Sequence, residues 1–239
     1  MRLPLGLAAL GLSVCGLFGI IPPSLAAGDE PPPSGKAEKP LRAADSDSPL
    51  PEGWPDATKP DVIEVKHYPA YRSAVARAKG ASMPADNMLF WPLFNHISRK
   101  GIEMTAPVVS TYDGAVAEKP KATGEVSMEF LYRSTRQGET GKGVGAVKVE
   151  DHPASDFVCF GVQGGMSPDQ MRDGVMRLRK WLDEHRSEWV EAGPPRRLGY
   201  HGPMTPTSER RWEVQIPIKP AAERKRRRLP RTENLPPFP

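Results

Sequence analysis

The sequence predicts an α+β domain built from duplicated half-domains, which form an antiparallel sheet or distorted β-barrel of about eight strands flanked by two helices. Three observations predict it: an internal repeat, segments in which apolar and polar residues alternate, and two segments with helical periodicity. Each half is too small to bury its own sheet face, so the two halves should pack together.

The internal repeat is visible at two places. Residues 64–70 (EVKHYPA) align with residues 148–154 (KVEDHPA) at an offset of 84. Residues 104–108 align with residues 200–204 at an offset of 96. The longer second offset indicates that the second half has the longer helical region, and both halves should follow the order strand, strand, helix, strands.

Strands are predicted where apolar residues recur at every second position. This pattern occurs at residues 63–67, 126–132, 158–162 and 212–216. In the first of these, Ile63, Val65 and His67 share the apolar face, with His67 at the end of the strand where a pocket rim could lie, and Glu64, Lys66 and Tyr68 share the other face.

The two helices follow the first and second repeat. Ser167 and Gln170 form a capping-box pattern, with Pro168 at the first helical position. One apolar stripe then follows at spacings of three and four: Met171, Val175, Leu178, Leu182, His185 and Trp189. The earlier helix should begin near Leu89, because Pro92 is tolerated only in a first turn.

The termini differ in composition from the domain at residues 59–219. Residues 1–27 have a basic Arg2, an apolar stretch and small residues at 24–27, which predicts a signal peptide and therefore a periplasmic or secreted protein. An uncleaved anchor is the alternative. Residues 28–58, rich in Pro, Gly and Ser, predict a disordered linker, and residues 220–239 predict a disordered basic tail.

Charge and cysteine content exclude several classes. The net charge of +4 matches the excess of basic residues in the last nineteen positions, so the domain is near neutral and no nucleic-acid partner is expected. The tail predicts at most weak contact with an anionic membrane surface. Without the predicted signal peptide, Cys159 is the one cysteine, which excludes an internal disulfide, so stability must come from an ordinary core. Cys159 is predicted to be a buried thiol, with a reactive thiol as the alternative, and the protein is expected to be a monomer.

The sequence lacks the motifs of common catalytic sites. It contains no nucleophile elbow, phosphate-binding loop, paired-histidine metal motif or covalent haem motif. The glycine-rich run at residues 141–145 has no strand-to-helix context and predicts a flexible turn. We therefore expect no enzymatic activity.

Four motifs together resemble the SOUL family of haem-binding proteins. The most informative is FWPLFNHISRKGIEMTAPV at residues 90–108, where an apolar helix leads into the sequence MTAPV. The others are EVKHY at residues 64–68, LGYHGP at residues 198–203 and WEV at residues 212–214. The resemblance implies the same duplicated architecture and a noncovalently bound haem.

Haem binding calls for an apolar slot, cations for two propionates and, in many sites, an axial donor. The slot is predicted between the first helix and the sheet, although each of its residues is also a candidate for ordinary core: Phe90, Leu93, Phe94, Ile97 and Met104. Arg72 and Arg99 are the predicted propionate partners, with surface charge as the alternative. The family resemblance implies that His67 is the axial ligand to iron, with a hydrogen-bonded rim histidine as the alternative.

The function predicted from these observations is that of an exported, non-enzymatic binding protein, which buffers or delivers haem or a related tetrapyrrole. Two alternatives remain. The pocket could take another amphipathic small molecule, or the domain could be a protein-interaction module with no ligand.

Overall fold

The computed structural model describes residues 46, 48–83, 87–119 and 121–221, with Asn87 described by its backbone alone. The predicted signal peptide at residues 1–27, most of the predicted linker and nearly all of the predicted basic tail lie outside the described residues.

In this part of the chain the structure contains ten strands and three α-helices. The elements in order are β1 (Ile63–Tyr68), β2 (Tyr71–Ala81), α1 (Asn87–Lys100), β3 (Val108–Tyr112), α2 (Gly114–Glu118), β4 (Gly124–Leu131), β5 (Gly141–Lys142), β6 (Lys148–His152), β7 (Ser155–Gln163), α3 (Pro168–Glu184), β8 (Trp189–Glu191), β9 (Arg196–Gly199) and β10 (Arg211–Pro220). A short 3₁₀ turn at Thr207–Glu209 precedes β10.

All strand pairs in the sheet are antiparallel, and the strand order is β1-β7-β10-β9-β3-β4-β2-β6-β5, with β8 on β10. The predicted α+β class is confirmed. The sheet has ten strands rather than about eight because β5 and β8 are short pairings of two and three residues. The third helix, α2, is a single five-residue turn after β3.

The two halves exchange their first strands. β1 pairs with β7 of the second half, and β6 pairs with β2 of the first half. β3 and β9 then join the halves in the middle of the sheet. This pairing is the one expected of two halves related by a pseudo-twofold axis; the superposition of residues 62–132 on 147–218 stays a prediction.

Both long helices cover the same face of the sheet. α1 packs on β2 and β4, and α3 packs on β7 and β10. α3 has the predicted capping box at Ser167 and Gln170, and it buries four of the predicted stripe residues: Met171, Val175, Leu178 and Leu182. The helix ends sooner than the stripe suggested, because His185 is its C-cap and Trp189 begins β8.

The boundaries of α1 follow from its end residues. The helix begins at Asn87, two residues before the predicted start, so Pro92 lies in its second turn. It ends at Lys100, and the next residue, Gly101, has a left-handed φ of 62°. The amides of Gly101 and Ile102 donate to the carbonyls of Ser98 and Ile97, which satisfies two of the last carbonyl groups of the helix.

The other face of the sheet, opposite the two long helices, curls around a second core, and we call it the inner face of the sheet. Tyr68 of β1 and Tyr71 of β2 stand at the first and seventh places of the strand order, yet both contact Trp54. Their ring centroids lie 4.8 and 5.3 Å from that of Trp54, in edge-on geometry. The sheet therefore wraps round until its β1 and β2 regions meet at this indole.

Residues 48–58 close this second core, and we call them the covering segment. Leu50, Trp54 and Thr58 are buried, and Ala106 N–H donates to the carbonyl of Pro49. The predicted linker therefore ends before residue 48 rather than at residue 58. Composition could not predict this boundary, because the segment is polar and Pro-rich apart from two large apolar side chains, Leu50 and Trp54, which hold it on the core.

Three further findings bear on function. Cys159 is free and buried on the inner face of β7, as the sequence predicted. Among the described residues, no helix combines the length and apolar character needed to cross a membrane. In the same residues, no group of three or more His, Cys, Asp and Glu side chains comes together to hold a metal ion.

Candidate functional site

The outer face of α1 carries an exposed apolar surface. Met88 and Trp91 are 75% and 69% exposed and Phe94 is 43% exposed, while Phe90 is half-buried beside them. The spacing of three residues brings these side chains to one side of the helix. The rings of Phe90 and Phe94 stack at 6.0 Å with planes 12° apart, and Trp91 meets both edge-on. We call these four residues the aromatic patch.

The inner face of α1 holds the rest of the predicted slot. Leu93 and Ile97 are buried in the core between α1 and the sheet, and Met104 is half-buried against that core. The predicted set of five is therefore split. Phe90 and Phe94 belong to the aromatic patch, whereas Leu93 and Ile97 fill the space between helix and sheet where the slot was predicted.

The two predicted propionate partners also differ. Arg99 is exposed in the last turn of α1. It lies about 80° round the helix from Trp91 and about 12 Å further along the axis, so it is near the outer face. Arg72 instead forms a two-pronged pair with Asp151 at 2.7 and 2.9 Å. The hydrogen bonds to that carboxylate raise the pKa of Arg72. The guanidinium is thus already paired within the protein and is not free to bind a propionate.

His67 lies elsewhere on the sheet, at the outer face of the edge strand β1. Its side chain is 68% exposed, and Val65 on the same face is also exposed, so only Ile63 at the start of the strand packs against the core. α3 covers β7 and β10 but leaves most of that face of β1 open. The buried residue of β1 is Tyr68, on the opposite face. His67 Nδ1 lies 2.7 Å from Asp156 Oδ1.

A cleft of about 440 Å³ opens under the C-terminal end of α1, and we call it the α1 cleft. Its lining includes His96, Lys100, Ile102, Tyr132, residues 137–140, Lys142 and Val149. His96 Nε2 lies 2.8 Å from Tyr132 Oη, and Val144 N–H donates to His96 Nδ1 at 3.1 Å. Burial, followed by the charge of Lys100, lowers the pKa of His96.

The inner face of the sheet carries a buried polar network. Glu213 is fully buried and receives Lys66 Nζ at 2.9 Å and the Tyr68 hydroxyl at 3.3 Å. Gln215 donates to Tyr68 Oη at 2.6 Å and accepts from Arg196 Nε at 2.9 Å. The Arg196 guanidinium lies 3.6 Å from the centre of the Phe157 ring. This network joins the strands across the second core.

Sequence reasoning missed the α1 cleft, the buried network and the exposure of Met88 and Trp91. The sequence of β10 did contain a sign of the buried network, because Glu213 and Gln215 alternate there with apolar residues. Such alternation normally places the polar residues in solvent. The covering segment reverses that expectation, because it buries the face on which they lie.

An antiparallel sheet with two long helices packed on it defines an α+β class of domain, and the sequence then gives the family. The model of the SOUL heme-binding protein family matches residues 56–217. The chain therefore belongs to that family, and the resemblance in its motifs is confirmed. A search of curated proteins found no match.

Solved structures share the fold at low sequence identity. The C-terminal domain of EcmrR is 18% identical with a TM-score of 0.54, over 66% of this chain and 97% of that one. EcmrR in its complex with DNA is 17% identical with a TM-score of 0.52, over 66% of this chain and 57% of that one. At these identities the likeness shows the fold alone.

Proposed function

We propose that this protein binds haem or a related tetrapyrrole noncovalently and without turnover. The observation that carries the proposal is the aromatic patch, a contiguous apolar surface exposed to solvent in a chain that belongs to a haem-binding family. Single exposed apolar side chains are common on protein surfaces, whereas a contiguous exposed apolar patch usually marks an interaction site.

The residues of the patch suit a flat, apolar macrocycle. Trp91 and Phe94 offer ring faces and edges, and burying them under a porphyrin removes apolar area from water. The Met88 thioether is a possible axial donor on the same surface. Arg99 is close enough along the helix to pair with a propionate, which a guanidinium can bind through two hydrogen bonds.

A second placement of haem rests on His67. Asp156 holds its Nδ1, and within the described residues Nε2 has no hydrogen-bond partner. A carboxylate that orients a histidine in this way is the usual outer support of a metal-bound imidazole. Val65, exposed on the same face of β1, would contact the macrocycle edge. The aromatic patch offers the larger apolar surface, and we favour it.

The proposed role is buffering or delivery of the ligand outside the cytoplasm by a monomer. Export rests on the signal-peptide pattern of residues 1–27, and weak contact with an anionic membrane rests on the basic residues after position 220. The two alternatives use the same surface. Another amphipathic small molecule would bind the patch without iron chemistry, and a protein partner would cover it with an apolar face of its own.

The test is a haem titration of the full chain, followed through the Soret absorbance band. We expect saturable binding of one haem, weakened at least tenfold by the double substitution Trp91→Ser and Phe94→Ser. The matched control is Met176→Ser, which removes a similarly exposed apolar side chain, 64% exposed, from α3. That control should bind as the parent does.

His67→Ala separates the two placements, with His185→Ala as its control. Loss of binding and a shifted Soret band in His67→Ala alone would move the haem to β1. A parent protein that shows only weak, unsaturable absorbance changes would remove the haem proposal. The amphipathic-ligand alternative would then be tested on the same variants.

A further inference from the structure

The α1 cleft is a separate surface from the aromatic patch. Lys100, which lines the cleft, lies nine residues after Trp91, about 180° round the helix. The cleft therefore opens on the side of α1 that faces the sheet, and a macrocycle lying on the patch does not fill it.

Hydrogen bonding fixes the tautomer of His96 at one end of this cleft. Val144 N–H donates to Nδ1, so Nδ1 is an acceptor and carries no proton. The lowered pKa keeps the ring neutral, which places its proton on Nε2. His96 Nε2–H therefore donates to Tyr132 Oη across the 2.8 Å contact.

This arrangement leaves the Tyr132 hydroxyl with an unused proton. Its own hydrogen cannot point back at His96, whose Nε2 already carries one. In the described part of the chain no other acceptor bonds to Tyr132 Oη, although the residue is only 1% exposed. Burial raises the pKa of Tyr132, so the hydroxyl keeps its proton. A buried donor without an acceptor is costly and indicates a missing partner.

The charges that line the cleft are mainly positive. Lys100 and Lys142 both contribute to the lining, and Glu139 is the acidic residue among the lining positions. Neither lysine forms an ion pair within the described residues. An acceptor that also carries negative charge would satisfy the hydroxyl and both ammonium groups.

Hydrogen bonds and close packing fix the loop residues that form the wall of the cleft. Arg72 Nη1 donates to the carbonyls of Gln137 and Gly138 at 3.2 and 2.6 Å. At Gly143 an added Cβ would lie 2.9 Å from the Val147 carbonyl oxygen and 3.1 Å from the His96 ring. The glycine-rich run at residues 141–145, for which the sequence predicts a flexible turn, thus lets the backbone approach His96.

We propose that the α1 cleft binds an oxyanion, preferably the carboxylate of a small organic acid. Tyr132 supplies the buried hydrogen-bond donor, and Lys100 and Lys142 supply the opposite charge. His96 acts as a positioning residue, because its proton on Nε2 directs the Tyr132 hydrogen away from itself. The proposal is independent of haem binding.

The test is an amide ¹H–¹⁵N titration of the full chain with three probes: sodium benzoate, inorganic phosphate and neutral benzamide. We expect benzoate to shift the Gly143 and Val144 amides in a saturable way and benzamide to leave them unmoved. Saturable binding of phosphate alone would keep the oxyanion site and assign it to phosphate. Benzamide binding as tightly as benzoate would overturn the proposal.

Three variants decide the roles of the residues. Tyr132→Phe should weaken benzoate binding about tenfold, a loss expected when a hydrogen bond to a charged group is removed. Lys142→Gln should weaken it about threefold, and Lys79→Gln, an exposed lysine on β2, should not change it. If Tyr132→Phe fails to fold, the combined Lys100→Gln and Lys142→Gln variant replaces it. The proposal is contradicted if Tyr132→Phe, or the combined lysine variant that replaces it, binds benzoate as tightly as the parent does. It is also contradicted if neither benzoate nor phosphate shifts the amides of the parent.

Discussion

Burial sets the charge of His96. The ring is almost fully enclosed, and its two nitrogens are used by Val144 and Tyr132. The folded state therefore favours the neutral ring, and its pKa lies below the ordinary value of about 6.5. At low pH the unfolded chain binds a proton that the folded chain resists, so folding stability should fall as pH drops below about 6.5.

We expect this loss of stability to depend on His96 itself. Urea unfolding of the parent and of His96→Gln, measured at pH 8.0, 6.5 and 5.0, gives the comparison. The free energy of unfolding of the parent should fall more steeply towards low pH than that of the variant. The same slope in both proteins would show that His96 titrates equally in the folded and unfolded states.

Single residues were also where the sequence misled most. His67 alternates with apolar residues in β1, but an edge strand has a covered face only where a helix reaches it. Arg72 had the right charge for a propionate, yet Asp151 on the neighbouring strand β6 uses it. Neither outcome can be read from spacing along one strand, because each depends on a partner at least seventy residues away.

At the scale of elements, the covering segment is an integral part of the domain. It has no regular secondary structure, but Trp54 fills the space between Tyr68 and Tyr71. Thr58 N–H also donates to the buried Glu213. Leu50 and Trp54 lie before residue 56, where the family match begins. The segment thus seals the polar network from water, and its two large apolar side chains lie outside the match.

Substituting a buried tryptophan of the covering segment and an exposed tryptophan of the aromatic patch tests whether the covering segment is part of the core. Trp54→Ala should lower the free energy of unfolding by about 3–5 kcal/mol, because it leaves a cavity in a closed core. Trp91→Ala should change it by about 0.5 kcal/mol or less, because the ring is already in solvent. Urea denaturation monitored by circular dichroism gives both values. Similar small losses in both variants would show that the covering segment is dispensable.

At the scale of the whole molecule, the sequence predicted the architecture well and the site only in part. Alternation and helix capping are local signals, so the antiparallel sheet, α3 and its cap, and the buried Cys159 all followed from them. The inner polar network and the α1 cleft depend on how the curled sheet brings distant residues together. Family membership is shown, whereas the surface that holds a tetrapyrrole is a proposal from exposure and chemistry.

The most direct test of that surface is an amide chemical-shift map of the full chain with zinc protoporphyrin IX, a diamagnetic analogue of haem. We predict that the largest shifts fall on residues 88–99 of α1, with Trp91 and Phe94 at their centre and the Trp91 indole signal strongly perturbed. Shifts concentrated around His67 and Asp156, or no saturable shifts anywhere, would contradict the assignment of tetrapyrrole binding to the aromatic patch.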